Sequence, residues 1–382
     1  MASRINLVTG ATGFSGSYVV GELLKAGEQV VGTDLARNLE NTEHMAVIRD
    51  TAFDPDHPNL ELVAADLLDP PSLERLVERK PNRVFHTASL YDYSAPMERL
   101  ERINITGTRN LLEVTRGLEL ERFIHWSTCG VFGKPYTAAD GKRVNVPFTE
   151  ESPSPRNTPD DAIEPTGTHL VNAYSVTKWR QEKMMWAAHR NEGLPLTVIR
   201  PAPIYGPGSS YGHGGIILTI AHGLLPVIPL DARNYVTTSV HVRDVARFAC
   251  FIADQENAVG QDYNVVDNSI ISYYEFLRYI GLLTGRKMLD LPLVNLKTVR
   301  HPFIVAAKTW TWLEQSLGVP RVRVFEVQSA TYVSSSYWLS NRKTLAAGFE
   351  YLYPDVREGL KDTIAWFKDA GWLTDRRRLF AG

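Results

Sequence analysis

The chain has 382 residues, 44% hydrophobic and 22% charged, with a formal net charge of −2. This size suits two lobes, the composition is that of an ordinary globular protein, and the near-neutral balance removes the electrostatic case for a nucleic-acid partner. Two cysteines, Cys129 and Cys250, build neither a disulfide framework nor a zinc-ligand spacing, and the ten histidines form no HxxxH or His/Cys cluster, so no metal is expected.

The opening residues lead straight into the apolar run Ile5–Thr9, read as an edge strand, with no room for a signal peptide. With the cysteine usage this predicts a cytoplasmic protein. Phe14–Lys25 reads as a helix with Val19, Val20, Leu23 and Leu24 on one face. Between strand and helix stands Gly10-Ala-Thr12-Gly13-Phe14-Ser15-Gly16, a GxxGxxG turn. Glycines bring such a backbone close to a dinucleotide pyrophosphate. The helix N-terminus behind them offers free N–H groups and the positive end of its dipole.

The second strand, Gln29–Asp34, ends in an acid about 20 residues past the glycines, where a carboxylate accepts from the adenosine ribose hydroxyls. Asp34 would also repel a 2′-phosphate, which favours NAD. Arg37 is close enough to receive one, which keeps NADP open. A third strand, Leu60–Ala65, delivers Asp66-Leu67, which either meets the adenine edge or caps a helix ahead of Pro70-Pro71. Pro71–Lys80 follows as a short helix and Arg83–Ala88 as strand four, with Ala88 on the cofactor side. A long helix runs from Pro96 to about Leu118, strand five is Arg122–Trp126, a second long helix covers Asn172–Glu192, and strand six is Leu196–Ile199. This alternation predicts a doubly wound parallel sheet whose strands all end on one ligand-binding edge. The stretch Lys134–Thr168 breaks the rhythm, and reads as a surface loop that is either a lid beside the site or a solvated insertion.

After Arg200 the pattern changes. A glycine-rich turn, Gly206–Gly215, precedes an apolar helix. The helix His241–Asp254 and the strand Tyr263–Val266 return to the first lobe, and the rest is helical with short strand pieces. The expected domains are 1–200 with 238–267, and a smaller, mainly helical substrate lobe of 201–237 and 268–382. Phe303, Ala307, Trp310, Leu313 and Leu317 recur at helical spacing, with Ile304, Val305 and Trp312 widening the apolar surface. Such a helix belongs to a core, walls a pocket for a bulky apolar ligand, or lies on a membrane surface. Arg300, Lys308 and Glu314 keep it from being an integral membrane span of about 18 residues. Arg376-Arg377-Arg378 reads as a solvated tail.

Of the 16 tyrosines, only Tyr174 has a lysine four residues on, Lys178, which places both on one helix face. A free phenol has a pKa of about 10, too high for a base at neutral pH. An ammonium about 5 Å away, at an effective dielectric of about 20, favours phenolate by roughly 3 kcal/mol, or about two pKa units. Tyr174 then exchanges a proton with a substrate hydroxyl while Lys178 also holds the nicotinamide ribose. At the end of strand five, Thr128 is the preferred hydroxyl donor to the substrate oxygen, with Ser127 its close rival. Asn104, a poor mid-helix residue, belongs either to the active-site network or to the scaffold, and Gly107 permits close packing.

Thr9-Gly-Ala-Thr-Gly-Phe-Ser-Gly16, Asn104-Ile-Thr-Gly-Thr108, Ser127-Thr128 with Val131-Phe-Gly133, Tyr174 with Lys178, Arg200-Pro201 and His241-Val-Arg-Asp-Val-Ala246 together resemble the extended short-chain dehydrogenase/reductase family across nearly the whole chain. The resemblance implies a Rossmann lobe, a bound nicotinamide cofactor, Ser/Thr-Tyr-Lys catalysis and a homodimer packed through the long helices. It also brings Pro201 to Ile204 toward the nicotinamide.

Nucleotide-sugar epimerases and dehydratases of that family usually carry an asparagine where this chain has Pro203. Their arginine ahead of the Tyr-Ile-His-Val segment is replaced by Thr237-Thr-Ser-Val-His-Val242, though Arg233 is near. Losing an amide and a cation argues against gripping a diphosphate. The segments Tyr337–Tyr351 and Glu358–Phe367 resemble the 3β-hydroxysteroid dehydrogenase and sterol-4-carboxylate 3-dehydrogenase branch. That resemblance implies an NAD-dependent alcohol/ketone oxidoreductase on a bulky hydrophobic substrate, with peripheral membrane contact open. The alternatives are a nucleotide-sugar epimerase or dehydratase, and a catalytically silent NAD-binding regulator.

Overall fold

A computed structural model describes residues 4–134, 146–292, 295–317 and 336–380. Its centre is a seven-stranded sheet in the order β11-β6-β5-β4-β1-β2-β3, parallel throughout. The strands are β1 (Ile5–Thr9), β2 (Gln29–Asp34), β3 (Leu60–Ala64), β4 (Arg83–His86), β5 (Arg122–Trp126), β6 (Leu196–Pro201) and β11 (Gln261–Val265). The central strands are buried on both faces, as parallel sheets require. One sheet edge is β3, whose side chains are no more than half-buried, and the other is β11. β1, expected at an edge, lies inside the sheet, with Leu7 opposite Val31 on one side and Val84 on the other. The strand order reverses there, and an open α/β sheet has its ligand crevice at such a reversal.

The helices α1 (Phe14–Lys25) and α9 (Val242–Ala253) pack together on one face, burying Val19, Val20 and Leu23 with Val245, Ala249 and Ile252. On the other face α4 (Pro70–Val77), α6 (Gly107–Thr115) and α7 (Ala173–Glu192) cover Leu7, Val84, Phe123 and Val198. Two helices between β2 and β3, α2 (Ala36–Leu39) and α3 (Thr42–Thr51), carry too little periodicity to be read beforehand. The helix expected over Pro96–Leu118 is α5 (Met97–Leu100), a π-helical stretch Glu101–Thr106, then α6, and it stops at Thr115.

Part of the Lys134–Thr168 stretch, residues 135–145, lies outside the described residues. Of the described part, residues 148–156 pack on the sheet while most of 157–167 is exposed. Glu150 accepts from the Asn264 N–H at 2.7 Å and Arg156 pairs with Asp262 at 2.6 Å, so the packed residues seal the outer edge of β11. Arg378 is no solvated tail: it pairs with Glu43 at 2.8 Å and lies over the Trp372 ring.

A second apolar cluster gathers α8 (His213–Ala221), α10 (Tyr273–Leu283) and the C-terminal helix Val356–Asp369 around Tyr205, Phe276, Leu360 and Phe367. The helix α11 (Leu296–Leu317) buries Ala307 but leaves Val305, Trp312 and Leu317 exposed. Among the described residues no helix is long and apolar enough to cross a membrane.

Candidate active site

The glycine turn is built by exclusion of side chains. A Cβ on Gly16 would lie 2.0 Å from the Gly10 carbonyl oxygen, and one on Gly10, at φ +67°, would lie 3.0 Å from Ala88 Cα. Ala88 is thus pressed against the turn, and its N–H donates to Thr9 Oγ1 at 3.3 Å. No side chain caps α1 at Gly13, and Gly13, Phe14 and Ser15 are the half-buried part of a turn otherwise buried from Ala11 to Gly16. Asp34 stands beside it: Oδ2 accepts from the Thr12 N–H at 3.1 Å and hydroxyl at 2.8 Å, while Oδ1 accepts from Leu35 N and Asn38 Nδ2. An uncapped helix N-terminus behind a side-chain-free turn, with a carboxylate at the end of the next strand, fits a dinucleotide. Four donors already satisfy that carboxylate, so ribose hydroxyls would have to displace one, with Asn38 on α2 the least constrained.

Asp66 and Leu67 make local contacts at the end of β3. The exposed Asp66 carboxylate accepts from Leu68 N at 2.9 Å, holding the turn ahead of α4. Leu67 lies under Gly107, where an added Cβ would meet it at 2.8 Å, so Gly107 is indeed there for close packing. Pro201 ends β6, and Ile204 lies in β7 (Ile204–Tyr205), paired with β10 (Val240–His241).

Tyr174 occupies the first turn of α7, whose N-cap Asn172 accepts from Ser175 N. It is 8% exposed and packs among Leu90, Tyr93, Ala95, Leu100 and Ala173. One turn on, Lys178 is 1% exposed. Its ammonium donates to the Trp126 carbonyl at 2.7 Å and to Gln181 Oε1 at 2.5 Å. Burial pulls its pKa down to about 7, against a smaller upward pull from Glu182. Burial thus works against the charge that Tyr174 would draw on, an effect that its spacing to Tyr174 does not announce.

A buried chain of hydrogen bonds extends from this lysine. Gln181 donates to Thr108 Oγ1 at 2.6 Å, Thr108 is joined to His86 Nε2 at 2.8 Å, and His86 Nδ1 meets Thr9 Oγ1 at 2.8 Å. Burial, then the charge of Lys178, drives His86 down to about 3 and His125 well below its ordinary value. Both imidazoles are neutral under any working condition.

The two candidate hydroxyls part company. Ser127, 3% exposed, donates to Glu182 Oε2 at 2.5 Å. Glu182 in turn holds Arg200 at 2.6 Å, and Arg200 holds Asp262 at 2.6 Å, all three without exposed side chain. Burial weakens the Arg200 charge, but Glu182 and Asp262 more than restore it and raise its pKa. Ser127 thus serves a buried ionic cluster joining α7, β6 and β11. Thr128 is half-buried and caps the short turn Cys129–Phe132 by accepting from Gly130 N at 3.2 Å. A Cβ on Gly130 would lie 2.9 Å from Ser175 Oγ, so this turn sits directly on the residue after Tyr174.

Asn104, fully buried in the π-helical stretch, spends its whole amide on positioning. Its oxygen accepts from Ser89 Oγ and Leu90 N, at 3.0 and 2.7 Å, and its nitrogen donates to Leu90 O and Thr177 Oγ1, both at 3.3 Å. It ties the loop after β4 to the helix bearing Tyr174 and Lys178. The local widening to a π-helix accounts for an asparagine there.

Glu182 was legible in principle: Tyr174, Lys178 and Glu182 recur every four residues on one helix face. Gln181, Thr108 and His86 carried no such signal. Among the described residues no three His, Cys, Asp or Glu side chains are grouped to hold a metal ion, and both cysteines are free.

A model for the NAD dependent epimerase/dehydratase family matches residues 6–265. The 3-beta-hydroxysteroid dehydrogenase of Mycolicibacterium neoaurum is 21% identical over 374 residues, covering 95% of this chain and 91% of that protein. The UDP-N-acetyl-alpha-D-glucosaminuronate decarboxylase of Bacillus cytotoxicus is 28% identical over 376 residues, covering 95% and 97%. The Thermus thermophilus UDP-glucose 4-epimerase in complex with NAD superposes with a TM-score of 0.66 at 21% identity, over 96% of this chain and all of that one.

Proposed function

Because the chain belongs to the NAD dependent epimerase/dehydratase family, an oxidoreductase family with NAD as its cofactor, we propose that it interconverts a secondary alcohol and a ketone on a bulky hydrophobic substrate of the 3β-hydroxysteroid or sterol type. One observation carries this reading: the proton-transfer phenol of Tyr174 is surrounded by Leu90, Tyr91, Tyr93, Ala95 and Leu100, an apolar and aromatic wall. Such a wall suits a greasy ring better than a nucleotide diphosphate, which takes charge-assisted bonds from cations. Arg233, the nearest replacement for the epimerases' arginine, is stacked 4.3 Å from the Tyr274 ring centre.

Gly10, Thr12, Gly13, Phe14, Ser15, Gly16 and Asp34 hold NAD, which when bound supplies the hydride acceptor in alcohol oxidation and the hydride donor in ketone reduction. The Tyr174 phenolate takes the proton of the substrate hydroxyl in oxidation and returns it in reduction. Thr128 Oγ1 accepts from Gly130 N, and its O–H, hydrogen-bonded to the Cys129 thiol here, turns to donate to the substrate oxygen as charge develops there. Lys178, in its charged form, favours the phenolate; Asn104 fixes the loop after β4 against α7, and Gln181 fixes the lysine. Ser127 acts through Glu182 as a positioning residue. The same reading includes a homodimer packed through its long helices and a cytoplasmic setting.

A dehydrogenation screen with NAD and NADP, followed at the reduced-nicotinamide absorbance, tests the reading. Reduction of NAD by 3β-hydroxysteroids with none of the UDP-sugars converted is the expected result. Conversion of a UDP-sugar without net cofactor reduction would replace it by the epimerase reading.

A further inference from the structure

We propose that His86, with its ring proton on Nε2, is a positioning residue for proton transfer: it sets the direction of the buried hydrogen-bond chain that aims Lys178 and ties that lysine to the glycine turn. This deepens the dehydrogenase reading, and the role in turnover rests on it. His86 stands opposite Thr9 in the sheet, and its other ring nitrogen meets Thr108 on α6. The side chains of Thr9, His86, Thr108, Gln181 and Lys178 are all buried, so the hydrogens among them are shared out within the chain. His125, opposite His86 on its other side, has no hydrogen-bond partner on either ring nitrogen. Of these two neighbouring imidazoles, only His86 is joined to the site.

The lysine end fixes the direction. Lys178 donates to Gln181 Oε1, so the amide NH2 of Gln181 is the group that faces Thr108 Oγ1. Thr108 therefore accepts there, and its single hydroxyl hydrogen goes to Asn104 O at 2.8 Å. His86 Nε2, at 2.8 Å, then donates to Thr108, which leaves Nδ1 bare to accept the Thr9 hydroxyl hydrogen at 2.8 Å. Thr9 Oγ1 accepts in turn from the N–H of Ala88, the residue pressed against Gly10. In this order every donor meets an acceptor. With the ring proton on Nδ1, the Thr108 hydrogen would turn to Nε2. Thr9 Oγ1 would then receive two hydrogens while its own, fully buried, found no acceptor among its contacts. Burial keeps the ring neutral, driving its pKa down to about 3, so it carries a single proton. A threonine in a helix has two rotamers open to it. The His86 N–H holds the one whose oxygen faces Gln181, and Gln181 holds the ammonium.

Isotopic labelling of the histidine nitrogens, followed by NMR, reads the tautomer without any substrate, the His86 signals being those missing from His86→Gln. The Gln181 side-chain amide signal, assigned by its loss in Gln181→Leu, reads the chain. Kinetics on whichever alcohol the screen identifies read the role. His86→Gln keeps an N–H to offer Thr108, while His86→Leu fills a similar volume and has none. The expected tautomer carries its proton on Nε2, and the Gln181 signal is expected to be displaced in His86→Leu but not in His86→Gln. In His86→Leu kcat is expected to fall about tenfold with KM little changed, and in His86→Gln to stay within about threefold of wild type. Each variant is assayed below its own melting temperature, which keeps a folding defect apart from a loss of kcat. A proton on Nδ1 would overturn the assigned direction, and equal kcat in the two variants would overturn the positioning role. If wild type oxidises no alcohol, the dehydrogenase reading falls and the role in turnover with it. The chain is then upheld by a Gln181 signal displaced only in His86→Leu, and overturned by one that moves in neither variant.

Discussion

Lys178 Nζ donates to Gln181 Oε1 across 2.5 Å, one turn further along the same buried helix. Gln181 is itself held by Thr108, so it fixes where the ammonium points and offers it only a neutral acceptor. Burial brings that ammonium to about 7, against the pull of Glu182, and its charge in turn helps to hold His86 and His125 neutral. Gln181→Glu adds a carboxylate, which favours the charged lysine and raises its pKa. The upper limb of the kcat/KM–pH profile, a property of the coupled Tyr174–Lys178 pair, is expected to move up by about one unit. Gln181→Leu is expected to move it down. Superimposable profiles for all three proteins would exclude Gln181 from positioning the lysine.

Ser127 and Thr128 are neighbours with separable roles. Thr128→Ala is expected to lower kcat about 10²-fold or more with little change in melting temperature, as loss of a donor to the developing oxyanion does. Ser127→Ala deprives buried Glu182 of one partner; a cost of about 1–3 kcal/mol in stability with kcat within a few-fold of wild type is the expected pattern. Kinetics paired with urea unfolding distinguishes them, and the reverse pattern would exchange their roles.

The buried histidines make the fold acid-labile. His86 and His213 are driven by burial to about 3 and about 4, and His125 well below its ordinary value. Below pH 6.5 the unfolded chain binds protons that these folded imidazoles refuse, so stability falls as pH falls toward 4, by about 1.4 kcal/mol per pH unit for each histidine. Buried Asp267, raised to about 8, acts oppositely, since its folded form takes a proton before the unfolded one does. Three histidines outweigh one aspartate in this window. His213→Gln is expected to flatten the slope by one histidine's share, measured as urea midpoints at pH 6.5 and 4.5. A slope of opposite sign would refute the account.

What could be read beforehand was whatever repeats along the chain or sits at a strand end. The apolar runs of β1, β2, β5 and β6 marked themselves because strands buried on both faces need uninterrupted hydrophobic residues. The glycine turn, Asp34, and the Tyr174–Lys178 pair followed from their spacing. Partnerships across the sheet were not legible. Nothing near Ser127 announces Glu182, 55 residues away. Helical spacing likewise reports which face a residue occupies, not how dry that face is, so the pull of burial on Lys178 was not legible. Asn104 shows the converse, a misfit in helical propensity explained once the helix is seen to widen around it.

Asp34 is the cofactor's proposed discriminator. Its carboxylate is oriented by Thr12, Leu35 and Asn38. Asp34→Ala removes the repulsion toward a 2′-phosphate and the acceptor for the ribose. A shift of at least roughly tenfold in the NAD-to-NADP ratio of kcat/KM, about 1.4 kcal/mol, is expected. An unchanged ratio would place the discrimination elsewhere.

The most direct measurement is turnover and NAD affinity of Tyr174→Phe beside wild type, on whichever alcohol the screen identifies. Loss of the phenol proton carrier is expected to lower kcat by about 10²–10⁴-fold while the dissociation constant for NAD stays the same. A variant that retains wild-type turnover would contradict the assignment of proton transfer to Tyr174.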